Sequence, residues 1–432
     1  MKSFDRRSFM QMTGAAALAA GAPAQTSPKA VRIGLVGVGN RGYGHVRTLL
    51  DVPGVEIPAI CDINEANLGR SIAYVEKNGR KKPEGYSSGP EDFRRMVARD
   101  DLDAVLTATP WEWHTPVCVA AMKAGKYAAT EVPAAITVQE CWDLVNTSEQ
   151  TGKPCMILEN VCYYRNVLLV LNLIRQGVLG ELLHCEGGYQ HDVRAGKIGP
   201  TGDVKWRGMH SVRRNANLYP THPIGPIAWW LDINRGDRFT YLVSMSSNSR
   251  GINDLVRKKF GADHPNARRT YALGDVNTTL IRTERGLTVT LYHDTQLPRP
   301  YDLILRVQGT GGIYSGTLDK IYIEGRSPMK GTTPLWEDLE PYYARYEHPL
   351  WKALGGPAKQ YPHGPADYIE LLQFVKAVRN GTPTPIDVYD AATWSVITPL
   401  TEQSVASKSA AVDFPDFTRG KWKTTKRLEL EA

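Results

Sequence analysis

From residue 31 onward, short runs of aliphatic and β-branched residues alternate with stretches whose apolar positions recur every three or four residues. The first texture is that of a buried strand and the second that of an amphipathic helix. Strands are predicted at 31–37, 55–61, 103–108, 126–130 and 154–158, and helices at 44–51, 64–78, 115–124 and 137–151. Strict strand–helix alternation predicts an α/β domain, a doubly wound parallel sheet covered on both faces, over residues 31–160. After a helix at 166–176 the texture changes to longer strands at 182–191, 239–247, 276–283, 287–294, 303–308 and 312–315. Consecutive strands with few helices between them predict an α+β domain over 161–432, built on a large, mostly antiparallel open sheet. Late helical periodicity at 366–379 and 390–405 is expected to pack back on the first domain.

Residues 1–30 read as a leader and linker. Asp5-Arg6-Arg7-Ser8-Phe9-Met10 resembles a twin-arginine export signal, followed by an apolar run at 12–20 and a small-residue site, Ala22-Pro23-Ala24. Cleavage after about Ala24 and a periplasmic or secreted destination are expected. The apolar run is too short for a lasting membrane anchor. The net charge of +7 includes two units from this leader, leaving about +5 on the mature chain. Its basic pairs are scattered among acids, which argues against a nucleic-acid surface. The six cysteines fall in predicted buried segments without metal-ligand spacing, so free thiols and no metal site are expected.

Gly37-Val38-Gly39-Asn40-Arg41-Gly42 follows the first strand and opens a helix, and Asp62 ends the next strand. A glycine makes the tight turn, a second lets backbone approach a pyrophosphate, and a third lets helix and strand pack closely. Asp62 would accept hydrogen bonds from a ribose diol and repel a 2′-phosphate, which predicts NAD rather than NADP. Arg41 within the loop suits charge-assisted phosphate binding. Two further loops leave carboxyl ends of predicted strands, Thr109-Pro110-Trp111-Glu112-Trp113-His114 and Glu131-Val132-Pro133. That is the edge where ligands bind in such sheets.

These features resemble the glucose-fructose oxidoreductase and inositol dehydrogenase superfamily, in which a Rossmann domain precedes an open sheet. There the segment matching Glu131-Val132-Pro133 usually reads Glu-Lys-Pro, with a lysine that assists hydride transfer; here Val132 replaces it. A narrower resemblance is to the family 109 glycoside hydrolases, NAD-retaining enzymes described as N-acetylgalactosaminidases. It is carried by Glu159-Asn160-Val161-Cys162-Tyr163, Gly187-Gly188-Tyr189-Gln190-His191-Asp192, Asn217-Leu218-Tyr219-Pro220-Thr221-His222 and Asp232-Ile233-Asn234-Arg235-Gly236. The resemblance implies NAD contacts at Asn40, Arg41, Asp62, Trp111, Glu112, Trp113, His114, Glu131, Val132 and Asn160. It implies sugar contacts at Tyr189, Arg207, Tyr219, Pro220, Thr221, His222 and Tyr301. The motif's usual glycine after the histidine is Pro223 here, which biases His222 toward extended backbone.

NAD-dependent hydrolysis is a recognised exception to the paired-carboxylate mechanism of glycosidases. It proceeds by C3 oxidation, C1–C2 elimination, water addition and re-reduction, and so needs bases, an acid for the leaving oxygen and a partner for developing negative charge. His222 and Tyr219 are the expected proton-handling pair, Tyr219 as a base or donor if its pKa is lowered, with Arg207 steadying charge. Which of the two performs each step stays open. The competing expectations are an NAD-dependent sugar dehydrogenase and a non-catalytic sugar-binding protein. The expected partner is a small carbohydrate, and self-association into a homo-oligomer stays open.

Overall fold

The computed structural model describes residues 30–356 and 364–431. The expected export leader lies outside the described residues. Six parallel strands, β1 (Val31–Val36), β2 (Val55–Cys61), β3 (Glu84–Tyr86), β4 (Ala104–Thr107), β5 (Tyr127–Thr130) and β6 (Cys155–Ile157), form one sheet in the order β3-β2-β1-β4-β5-β6. The strand order reverses between β1 and β4, the place in such a sheet where ligands bind at the carboxyl ends of the strands. Strands β4, β5 and β6 are buried throughout because helices cover both faces, which is why they read as unbroken apolar runs. Helix Val138–Thr151 starts on a capping box, with Thr137 accepting from Glu140 N and the Glu140 side chain reaching back. Strand β3 was not expected; at three residues, two of them exposed, it leaves no pattern to read.

The second sheet has nine strands. In chain order they are β7 (Leu182–Gln190), β8 (Phe239–Ser246), β9 (Val276–Thr283), β10 (Thr288–Asp294), β11 (Arg306–Gly309), β12 (Gly312–Ser315) and β13 (Lys320–Ile323). A small separate hairpin follows, β14 (Met329–Lys330) with β15 (Thr333–Pro334), and β16 (Glu337–Asp338) and β17 (Val412–Asp413) complete the large sheet. Its order is β16-β13-β12-β11-β7-β10-β9-β8-β17, and every pair is antiparallel except β7 with β10. Strand β11 begins three residues later than expected, because Ile304 takes a positive φ of 46° and breaks the ladder.

Three helices of eight or more residues lie where only connections were expected: Trp206–Arg213, Thr221–Trp230 and Gly251–Phe260. The second is buried at every position but His222, so no polar stripe marks its period. His222 is helical here, which corrects the expectation of extended backbone. Pro223 sits in the first turn, where a missing N–H costs no hydrogen bond. Residues 390–405 divide into two helices, Val388–Ser395 and Ile397–Ala406. Helix Pro365–Asn380 packs on helix Asn40–Asp51 and β1, and helix Val388–Ser395 on helix Val138–Thr151 and β6. One apolar cluster runs from the parallel sheet through helix Arg165–Arg175 to the inner face of the nine-stranded sheet. All six cysteines are buried and free. No helix among the described residues is long and apolar enough to cross a membrane.

Candidate active site

The glycine loop has the geometry its residue types require. Gly37 turns at φ 78°, and a Cβ there would meet Thr109 at 2.7 Å. A Cβ on Gly42 would stand 1.9 Å from Gly37 O, so only glycine lets the helix start against the turn. At Gly39 a Cβ would meet only Asn67, at 3.9 Å, leaving the approach to the backbone open. Helix Asn40–Asp51 begins without a side-chain cap, so its first N–H groups are available to an anion. Asp62 accepts from Val38 N at 2.7 Å and Asn64 N at 2.8 Å, which ties the second strand's end to the loop.

Several expected cofactor residues are engaged with the protein itself. Arg41 pairs with Glu131 and Asp367, and Asn160 donates to Asp367 at 2.8 Å. His45 Nε2 donates to Glu131 at 2.7 Å. Burial opposes the Glu131 charge, yet Arg41 and His45 prevail and hold its carboxyl well below the usual range. Val132 is buried in the core. His114 lies between Pro133 O (2.6 Å) and Thr109 O (2.9 Å), and burial pushes its pKa down. A neutral imidazole donates to only one of them, and the ring braces the two loops against each other. Trp113 packs edge-on against Phe93, and Glu112 points away to His210 at 3.2 Å. Of that loop, Trp111 is the side chain that packs against the aromatic residues of the second domain.

There the aromatic residues converge. The rings of Tyr189 and Tyr219 are 4.5 Å apart, and His222 stands 5.3 Å from the first and 4.9 Å from the second. Trp111 closes on Tyr219 at 5.9 Å, Tyr301 reaches Tyr189 at 6.1 Å, and Arg207 lies over both Trp111 and Tyr219. Pro220 and Thr221 are buried at the start of the His222 helix. Tyr189, Tyr219, Arg207 and Trp111 line a partly open cavity, together with Lys197, His293 and Thr295. His222 Nδ1 sits 2.7 and 2.9 Å from the two oxygens of Glu159, a fully buried carboxylate two residues past the end of β6. An ionised carboxylate only accepts, so Nδ1 carries the proton and Nε2 is left to exchange one. Burial pushes the Tyr219 hydroxyl well above its ordinary pKa and Tyr189 to about 12. This direction runs against the lowered pKa on which the expected part of Tyr219 in proton transfer depends.

Residues 31–159 match the oxidoreductase family with NAD-binding Rossmann fold, and residues 163–424 match the glycosyl hydrolase 109 C-terminal domain. A Tannerella forsythia protein named alpha-N-acetylgalactosaminidase is 45% identical over 419 residues, covering 93% of this chain and 89% of that protein. A family 109 protein from Shewanella pealeana is 45% identical over 403 residues, covering 93% of this chain and 88% of its own length. The chain belongs to glycosyl hydrolase family 109. Among solved structures, levoglucosan dehydrogenase in complex with NADH and levoglucosan shares the fold, with a TM-score of 0.69 at 21% identity over 90% of this chain and all of the other. Apo scyllo-inositol dehydrogenase from Lactobacillus casei gives a TM-score of 0.63 at 16% identity, over 90% and 99%.

This family 109 chain is a glycosidase that binds NAD. The open approach at Gly39, the uncapped helix and the Asp62 carboxylate fit a dinucleotide's pyrophosphate and ribose. Reasoning from sequence had not singled out Glu159, Lys197 or His293 as site residues. Glu159 did carry a signal, an acid at the carboxyl end of a predicted strand. Lys197 carried none, since its partners Thr295 and Gln296 lie about a hundred residues away.

Proposed function

We propose that this glycosidase releases N-acetylgalactosamine from glycosides by a redox-neutral route, with one NAD held through every turnover. The observation that carries the reading is the His222–Glu159 pair, with the His222 ring packed on Tyr189 and Tyr219 of the cavity wall. The name of the Tannerella forsythia relative supports the choice of sugar. Bound NAD would supply a reversible oxidation of a ring carbon, which acidifies the adjacent C–H and lets the C1 substituent depart before that carbon is reduced again.

Glu159 holds the imidazole of His222 in one tautomer, and Nε2 accepts the C2 proton. Arg207, which makes no ion pair among the described residues, stabilises the negative charge that develops on the neighbouring oxygen. Tyr189 and Tyr219 stay neutral and donate hydrogen bonds to sugar hydroxyls. Val132 supports hydrolysis over net dehydrogenation, because it offers no proton-transferring head where the wider superfamily has lysine. The resemblance of Asp5–Met10 to a twin-arginine signal supports an exported enzyme, and outside the cytoplasm a cofactor regenerated in each cycle needs no replenishment.

The test is to incubate purified protein, without added NAD, with aryl N-acetylgalactosaminides, galactosides and glucosides of both anomers. Release of the phenol with no lasting rise at 340 nm is expected. A steady growth of 340 nm absorbance with added NAD, and no phenol, would replace this reading with a sugar dehydrogenase.

A further inference from the structure

The cycle above lacks one participant, an acid for the departing oxygen, and the cavity contains a side chain so far given no role. Lys197 ends the short helix Arg194–Lys197, and its amine is buried on the cavity wall. Nζ donates to Thr295 Oγ1 at 2.7 Å and to Gln296 Oε1 at 3.3 Å, so two of its three protons are engaged and the third is free for the cavity. No carboxylate among the described residues lies within ion-pair distance of it. The acids nearest in charge terms are committed elsewhere: Asp192 to Arg194, Asp294 to Arg299, and Asp275 to the start of helix Gly251–Phe260 and to Gln296.

We propose that Lys197 is the proton donor to the departing glycosidic oxygen. The step rests on the hydrolytic reading above. As the C2–H electron pair forms the C1–C2 double bond, the C1–O bond breaks, its pair stays on oxygen, and oxygen takes a proton from Nζ. Lys197 is left neutral and recovers a proton when water adds to C1. Other groups on the same wall are poor candidates. Arg207 does not release its protons. Burial holds Tyr219 and Tyr189 as weak acids, and it pushes His293, whose buried Nδ1 has no partner, down to about 3. Lys197 faces Arg207 from helix Trp206–Arg213 and His293 from β10. Burial first, then Arg207, lowers its pKa to about 7 against the pull of Asp275, Asp294 and Asp192. A proton held at that level is well matched to transfer near neutrality.

The experiment measures kcat for a series of aryl glycosides of the sugar the wild-type enzyme cleaves, from 2,4-dinitrophenyl to 4-methoxyphenyl, with the methyl glycoside added. Purified enzyme with its retained cofactor is compared with Lys197→Met and Lys197→Arg. For both variants the expected loss is about 100-fold or more with the methyl glycoside, shrinking steadily as the leaving phenol becomes more acidic. The wild-type decline of kcat as pH rises through about 7 should also disappear. Bound-cofactor absorbance and near-UV circular dichroism check folding. Lys197→Arg keeps the charge without the transferable proton, so if it restores wild-type rates the role is electrostatic and the proposal falls. An equal loss with every leaving group overturns it as well. Wild-type enzyme that frees no phenol from any glycoside overturns the hydrolytic reading itself, and this step with it.

Discussion

His222 has two ring nitrogens, and its surroundings give them separate duties. Nδ1 is fixed on a carboxylate with no exposed surface, which leaves Nε2 outside that pair, while the ring meets Tyr189 and Tyr219 edge-on. Glu159 therefore acts through His222. Glu159→Gln should lower kcat by about 100-fold or more with KM and cofactor content little changed, because an amide no longer dictates which nitrogen carries the proton. Steady-state kinetics with bound-NAD absorbance checks this, and a matched rise in KM would mark the residue as merely structural. Tyr219 and His222 stand out in the sequence because the string from Asn217 to His222 resembles the family's and both side chains can exchange protons. The orienting partner does not, since it comes from just past the end of β6, 63 residues earlier in the chain. Nor could the sequence give the direction of the Tyr219 shift, which depends on how deeply its hydroxyl is buried.

Helix Thr221–Trp230 brings the histidine to that carboxylate, and two glycines let it do so. A Cβ on Gly187 would stand 2.8 Å from both Ile227 and Pro223, and one on Gly225 would stand 2.8 Å from Glu159 Cγ and 2.9 Å from Cys162 Sγ. The helix can lie directly on β7 and the turn after β6 only because these positions lack side chains. Gly225→Ala should therefore destabilise the fold by about 1–3 kcal/mol through overpacking, and should also lower kcat by pushing Glu159 away from His222. Denaturant unfolding and kinetics on the same sample test both effects, and a neutral result in both would show that the helix can shift freely. A helix apolar on every side, with two prolines, gives no periodic stripe, so pattern reading placed a loop here. By contrast the helix at 137–151 was readable from apolar positions recurring every three or four residues, and the structure adds the Thr137/Glu140 box that caps its start.

Across the whole molecule, the Rossmann half and the sheet half meet on buried charge. Arg41 and Asn160 converge on Asp367 of helix Pro365–Asn380, and one turn further along the same helix Glu370 is buried with neither oxygen hydrogen-bonded. Burial, reinforced by Asp367, pushes the Glu370 pKa well up despite Arg41. A raised folded-state pKa means that the folded form holds the proton more tightly. Stability is then fully present at low pH and is lost as pH rises above the usual glutamate range. Thermal unfolding should show that decline, up to about 1.4 kcal/mol per pH unit, and Glu370→Gln should flatten it. An unchanged slope would mean that the carboxyl is already ionised in the folded protein.

The amino-acid order alone determined the parallel sheet, the glycine cradle with its spaced aspartate, and the change of texture into a mostly antiparallel sheet. Those features rest on local periodicity and on residues close together in the chain. Only the folded chain decided which groups share the cavity and how each of them titrates. Burial and pairing between residues tens to hundreds of positions apart are set by packing, and no local pattern encodes them. The amine of Lys197 and the carboxylate of Glu159 are the clearest cases, because their chemistry comes entirely from neighbours brought to them by the tertiary structure.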